Sequence, residues 1–319
     1  MESNIIFLIV GMAGLWFGSG IVVDNGQKIA TSLHISSRII GLTIASIGSS
    51  LGELVTNIVA GYRRSAGEDT SGIAFGTIIG SNISLITFVL GFCGLFTVYY
   101  LERKKKSMKR DWTMLLVAIL LVFIFAFDGT INILEGSLLI IVYLFYILIL
   151  FKQEKVYEKI TDGGNNNKDK SKNLFYMVAI IFGIIITIYS ANLVIDNGIS
   201  LAKLFGISSA ILGILIGFST SLPELTISLR AIYQGAHGIS IGNIIGGNIV
   251  DPLLSLGVGA FISPIIIDKV NLWFDLPFLF FSTLVGLMLF RRGGKLTKSG
   301  ASVMIGLYAV FLAIKFFVI

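Results

Sequence analysis

The sequence predicts an all-α membrane protein: ten transmembrane helices in two inverted five-helix repeats, with broken helices at the bilayer midplane. Three observations predict it. The 319 residues are 55% hydrophobic and only 13% charged, whereas soluble domains carry about 25% charged residues. The apolar residues fall into runs of about 20, the length a helix needs to cross the hydrocarbon core. The two halves of the chain also repeat one another, motif for motif.

The ten runs are 4–24, 38–61, 72–98, 112–128, 133–151, 174–195, 208–232, 238–263, 271–290 and 299–318. The first has neither a basic leader nor a small-residue cleavage site, so it reads as a retained helix. Asp24-Asn25-Gly26 ends the first run and Asp196-Asn197-Gly198 ends the sixth. Both aspartates read there as caps or interface residues. Ile35-Ser36-Ser37 opens the second run, and Ile207-Ser208-Ser209 opens the seventh. The polar stretch between the fifth and sixth runs, centred on Gly163-Gly164, has the composition of a flexible linker. The organisation is therefore a first repeat over 1–151, a linker over 152–173 and a second repeat over 174–319. Five is odd, so the second copy crosses the membrane in the opposite sense.

Basic residues set the orientation, because cytoplasmic loops collect lysine and arginine. Nineteen of the 24 fall on the side of the loop after the first run, among them Arg103 to Lys106, Lys109, Arg110 and the linker lysines. The other side has Arg63, Arg64, Lys203, Lys269 and Lys315. The expectation is a multi-pass cell-membrane protein with a cytoplasmic linker and both termini extracellular. The net charge of +6 is spread between apolar runs, so it does not point to nucleic acid. Cys93 is the single cysteine, and His34 and His237 have no partner at metal-ligand spacing. No zinc-protease, nucleophile-elbow or phosphate-loop motif occurs, so the chain does not read as an enzyme.

The chemistry sits in the duplicated motifs. Gly48-Ser49-Ser50-Leu51-Gly52-Glu53 in the second run is copied as Ser219-Thr220-Ser221-Leu222-Pro223-Glu224 in the seventh. Each is followed by a glycine-studded run, Gly72 to Ile83 and Gly238 to Asp251. Glu53, Glu224 and Asp251 each lie about 12 to 15 residues into their runs, near the bilayer midplane. A charge at that depth is costly and is rarely kept without a use. The expectation is that Gly48, Gly52, Pro223, Gly246-Gly247 and Asp251-Pro252 weaken or break their helices. Freed carbonyls, hydroxyls and carboxylates together make an all-oxygen cation site, suited to hard ions. The blander readings are that Ser50, Thr220 and Ser221 bond back to their own helices, and that Asn82 and Asn248 glue helices together. Asp275, without a counterpart in the first half, reads as a near-surface structural residue. The Gly-x-x-x-Gly spacings permit close packing.

These residues resemble a known family. Thr220 to Glu224, with Gly242 to Asp251, is similar to the second alpha-repeat of the cation/calcium exchanger superfamily. Gly48 to Glu53, with Gly80-Ser81-Asn82-Ile83, is similar to the first in degraded form. The likeness spans nearly the whole chain and is closest to prokaryotic sodium/calcium exchangers. It implies a secondary antiporter that exchanges Ca²⁺ for Na⁺ by alternating access and uses no cofactor. Glu53 and Glu224 would hold Ca²⁺ at the centre, with Asp251 beside them. Thr220, Ser221, Ser81 and Glu224 would form the outward Na⁺ site. Ser49, Ser50 and Glu53 would form the inward one, and carbonyls near Ser46 and Gly217 would complete the two. The chain departs from the family at Gly247, where a serine is usual, and at Leu85, where Asn or Asp is usual. It also has Gly52 for proline and Ser219 for glycine. These departures imply fewer Na⁺ per Ca²⁺, or a proton in their place. The alternatives are a calcium/proton exchanger on the same fold, or a cation channel. The partners are then Ca²⁺, Na⁺ or H⁺ and the lipid bilayer, and no oligomer is required.

Overall fold

A computed structural model of the chain describes residues 2–32, 41–97, 99–100, 105–158, 170–206, 209–235, 237–291 and 295–317. His34, Arg38, the helix openings at 35–37 and 207–208, and the linker centre at 163–164 lie outside the described residues. Among those described, nine helices are long and apolar enough to cross a membrane. The second predicted run is the remaining one. Its described part is helical from Gly41 to Ser65, with an interruption at Ser50.

α1 (Glu2–Ser32) and α8 (Lys170–Phe205) are the longest helices, at 31 and 36 residues. At about 1.5 Å per residue both exceed the roughly 30 Å hydrocarbon core, so they tilt or project. Both run past the points where the sequence predicts an end. The reason is the same in each. Asn25 Nδ2 donates to the Ile21 carbonyl at 2.7 Å, and Asn197 Nδ2 donates to the Leu193 carbonyl at 2.7 Å. The amides bond back to their own helix instead of opening a turn. Asp24 and Asp196 are therefore not caps. Each stands inside a helix and faces an arginine of the other half. α1 and α8 pack along a small-residue seam: a Cβ added at Gly14 would lie 2.0 Å from Ser190 Oγ, and one at Gly18 would lie 2.4 Å from Thr187 Oγ1. Without a hydrophobic drive between helices in lipid, such close approach supplies the contact.

The centre of the bundle is built twice. In the first half a π-helical turn (Gly41–Ala45) leads into α2 (Ser46–Ser49). The chain departs from helical geometry at Ser50 (φ −74°, ψ 11°) and resumes as α3 (Leu51–Ser65). In the second half α9 (Ser209–Thr220) stops, Ser221 takes φ −79° and ψ −2°, and α10 (Leu222–Tyr233) begins. Pro223 stands in its first turn, where no backbone N–H is needed. The helices that follow are nearly wholly buried: α4 (Ser71–Ser84), a π turn (Leu85–Val89) and α5 (Leu90–Phe96), and their counterparts α11 (His237–Val250), a π turn (Asp251–Ser255) and α12 (Leu256–Ile262). α11 runs unbroken through Gly246-Gly247, contrary to the expectation from glycine propensity. Asp251-Pro252 produces a π turn and no break. The first half has the same π turn with no proline, so helix packing and not the imino acid sets it. Such turns often mark functional sites.

Each interrupted helix lies on the other half. α9 packs on α4, where a Cβ at Gly213 would meet the Gly72 carbonyl at 2.8 Å. Ser46 of α2 faces Gly246 of α11, whose added Cβ would meet it at 2.7 Å. Around this centre stand α6 (Lys105–Phe125), α7 (Ile133–Glu158), α13 (Leu276–Arg291) and α14 (Lys298–Phe317). Two short antiparallel ladders join the halves: β1 (Tyr99–Tyr100) with β4 (Lys295–Leu296), and β2 (Thr130–Ile131) with β3 (Ile265–Ile266). Asp275 is not near the surface. It is fully buried and accepts from Lys315 Nζ at 2.5 Å, because a π turn (Asn271–Asp275) directs it inward against α14.

Candidate functional site

The interruptions at Ser50 and Ser221 bring both copies of the duplicated motif to one place. Glu53 and Glu224 sit in the first turns of α3 and α10, and Asp251 opens its π turn. All three are fully buried. Hydroxyls from each half serve the carboxylate of the other. Ser50 Oγ of the first half donates to Glu224 Oε1 at 3.4 Å. Ser49 lies beside Glu224 and Thr220 beside Glu53. Ser81 Oγ sits between Glu53 Oε1 at 2.9 Å and Asp251 Oδ2 at 3.2 Å. Ser221 Oγ continues the chain to Ser81 Oγ at 3.1 Å and Ser84 Oγ at 2.7 Å.

The carbonyls of Gly217 and Ser46 lie beside these hydroxyls and, contrary to the expectation of freed carbonyls, keep their backbone bonds, from Ser221 N at 3.2 Å and Ser50 N at 2.9 Å. The Gly217 carbonyl accepts from Ser221 Oγ at 2.7 Å and Thr220 Oγ1 at 3.1 Å. The Ser46 carbonyl accepts from Ser49 Oγ at 3.2 Å. Gly217 must be glycine, since an added Cβ would lie 2.4 Å from the Thr77 carbonyl and 2.6 Å from Ser81 N. Its counterpart Ser46 is fully buried but has room for its side chain. The structure thus brings together Glu53, Glu224, Asp251, Ser49, Ser50, Ser81, Thr220 and Ser221, with Ser46 and Gly217 flanking them. One oxygen of each acid, Glu53 Oε2, Glu224 Oε2 and Asp251 Oδ1, has no hydrogen-bond donor. A buried carboxylate oxygen left this way is costly. Among the described residues no three acidic, histidine or cysteine side chains form a metal cage by themselves. A cation here would take a mixed set of carboxylate, hydroxyl and carbonyl oxygens.

Sequence reasoning missed the residues that hold the acids in place. Asn57 Nδ2 donates to the Glu53 carbonyl at 3.2 Å, and Asn243 Nδ2 donates to the Glu224 carbonyl at 3.2 Å. The amide has traded places between the repeats: Asn57 and Thr77 in the first half correspond to Ser228 and Asn243 in the second. Asn243 also accepts from Ser49 Oγ at 3.2 Å and donates to Ser228 Oγ at 3.3 Å. A signal was present, since Asn57 and Asn243 are amides in apolar runs, one of them a helical turn after Glu53. Asn82 and Asn248, singled out by their motifs, are buried but make no hydrogen bond to the acids. Asn248 Nδ2 bonds back to the Ile244 carbonyl at 2.9 Å.

The duplication is incomplete at one corner. Ser81 and Asp251 face each other, but their counterparts are Gly247 and Leu85. A Cβ added at Gly247 would lie 3.1 Å from Leu85 Cδ1, 3.6 Å from Ser50 Oγ and 3.9 Å from Glu224 Cγ. Hydrocarbon therefore occupies the corner that symmetry would give to a second hydroxyl and acid.

Membrane-length helices around a buried cluster of acids and hydroxyls, built where two interrupted helices cross, define a multi-pass transporter of small cations. Comparison with known proteins narrows the class. A family model described as sodium/calcium exchanger protein matches residues 3–152 and 175–317, and the chain belongs to that family. It is 28% identical over 356 residues to the sodium/calcium exchanger MaX1 of Methanosarcina acetivorans, covering 99% of each chain. It is 30% identical over 255 residues to an uncharacterized membrane protein of Methanocaldococcus jannaschii, covering 80% of each. Its fold matches the sodium-calcium exchanger NCX_Mj, in a structure soaked with Na⁺ and Ca²⁺, at a TM-score of 0.69 and 27% identity over 99% of both chains.

Proposed function

We propose that this chain is a secondary antiporter that exchanges Ca²⁺ for Na⁺ by alternating access. Glu53 and Glu224 hold Ca²⁺ between them, with Asp251, Ser49, Ser50, Ser81, Thr220, Ser221 and the carbonyls at Ser46 and Gly217 contributing to the ion sites. The observation that carries this reading is the reciprocal pairing of hydroxyls and carboxylates across the two halves, Ser50 with Glu224, Ser81 with Asp251 and Thr220 with Glu53, with one undonated oxygen left on each acid. Hard cations want such oxygens. The same few negative charges cannot hold both loads at once, so competition couples the two fluxes. Residues 1–151 and 174–319 act as inverted repeats broken at the midplane, with both termini outside and the 152–173 linker in the cytoplasm.

Access to either face follows the long helices α1 and α8, which move as one unit against the rest. Arg63 of α3 pairs with Asp196 of α8 and donates to Asn192 Oδ1 at 2.8 Å, which closes the extracellular side. On the other face Arg230 and Asp24 stand at 3.5 Å, in the wall of a cavity of about 300 Å³. That cavity extends from Lys28 to Pro223, the residue before Glu224, and supplies the cytoplasmic route. The hydrocarbon corner at Leu85 and Gly247 removes ion ligands on one side, so we infer fewer than three Na⁺ per Ca²⁺. The test is ⁴⁵Ca²⁺ flux in proteoliposomes under imposed Na⁺ gradients, pH gradients and voltage. Uptake follows the Na⁺ gradient, and the reversal potential gives a coupling below three to one. Uptake driven by pH alone would reject the exchange reaction, and a three-to-one reversal potential would reject the coupling.

A further inference from the structure

Two features play no part in the ion site: the basic run that opens α6, and an apolar groove beside it. The groove lies between α6 and α7 and has a volume of about 690 Å³. Its floor is hydrocarbon, from Met114 and Val117 on one helix and Val142 and Phe145 on the other. Its mouth carries Lys109 and Arg110. From Lys109 to Val117 the helix descends about 12 Å, close to the depth of one leaflet's hydrocarbon. The mouth is built, not loose. Arg110 Nε donates to Asp111 Oδ1 at 2.6 Å, and its guanidinium lies 5.9 Å from the centre of the Tyr146 ring. Tyr146 Oη donates to the same Asp111 oxygen at 3.1 Å.

Charge identifies the occupant. Asp111 offsets one positive charge, but Lys109 is exposed, and Lys152 stands one turn beyond Ile149 of the groove wall. Arg103, Lys104, Lys105 and Lys106, just ahead of Lys109 along the chain, add four more cations in the sequence. We propose that this groove seats an anionic phospholipid, with one acyl chain along the apolar floor and the headgroup phosphate at Lys109 and Arg110. A zwitterionic lipid would bring its own cation to a positive mouth, so the seat selects for net negative charge. The inference depends on the chain's lying in a membrane and not on which ions it exchanges.

Native mass spectrometry of the full-length protein tests it, with phosphatidylglycerol or phosphatidylcholine added to detergent micelles. The wild type retains one phosphatidylglycerol under activation that strips phosphatidylcholine. Lys109→Gln weakens that retention about fivefold, the effect of one charge near an anionic headgroup. Val142→Trp fills the floor and abolishes it, while Lys269→Gln on the far face leaves it unchanged. Equal retention of the two lipids by the wild type would overturn the proposal. So would wild-type retention in both groove variants, or a loss in Lys269→Gln as large as in Lys109→Gln.

Discussion

At the scale of single residues, the site rests on side chains that act across the repeat boundary. Asn243 ties three groups together: it links Ser49, Ser228 and the Glu224 carbonyl. Each such buried hydrogen bond contributes about 1 kcal/mol net, and more when its removal strands a partner. Asn243→Ala is therefore expected to raise the half-saturating Ca²⁺ concentration about tenfold in flux assays, while the protein stays folded. Thr77→Ala, at the corresponding position of the first half, is expected to change it little, because Thr77 Oγ1 makes no hydrogen bond. An equal effect at both positions would show that Asn243 does not orient the acids. Lys315 and Asp275 present a different balance. Lys315→Met leaves a buried carboxylate without its cation and is expected to cost about 3–5 kcal/mol, read as a lowered melting temperature. Lys315→Met combined with Asp275→Leu should recover most of that loss, since an apolar pair of similar size needs no compensation.

At the scale of elements, the account depends on which helices are fixed to which. α1 and α8 meet along glycine and serine, with Gly14 against Ser190, whereas α8 meets α3 through the Arg63–Asp196 pair. In a Cys93→Ala background, a disulfide between Gly14→Cys and Ser190→Cys is expected to leave exchange near the wild-type rate. A short crosslinker between Arg63→Cys and Asp196→Cys is expected to stop it. The opposite pattern would show that α1 and α8 do not move as a unit. Much of this arrangement was legible in the sequence. The duplicated Ser-Ser-Leu-Gly-Glu and Thr-Ser-Leu-Pro-Glu segments gave the paired acids their positions, and nine of the ten predicted runs stand as helices of membrane length. The helix ends were not legible. Asn-Gly after an aspartate is a turn signal in water, but in α1 and α8 the asparagine bonds the carbonyl four residues back. Nor were the π turns, because Asp251-Pro252 suggests a break while Leu85 to Val89 carries no local mark at all. Packing at the centre decides both, and packing between distant segments is not written in a local pattern. The burial of Asp275 was hidden for the same reason, since its partner Lys315 lies 40 positions away.

At the scale of the whole molecule, two similar halves are folded through one another, each laying an interrupted helix on the other's buried helix. The proposed ion site draws its residues from both halves, and its departure from symmetry at Leu85 and Gly247 is the basis of the coupling ratio proposed above. The most direct test of the central claim is equilibrium binding of ⁴⁵Ca²⁺ to the purified protein, with Na⁺ as competitor, for the wild type, Glu53→Gln and Glu224→Gln. If the two acids grip one ion together, the wild type binds Ca²⁺ and releases it as Na⁺ rises, and either substitution alone removes binding. Wild-type affinity in either variant, or Ca²⁺ binding indifferent to Na⁺, would contradict it.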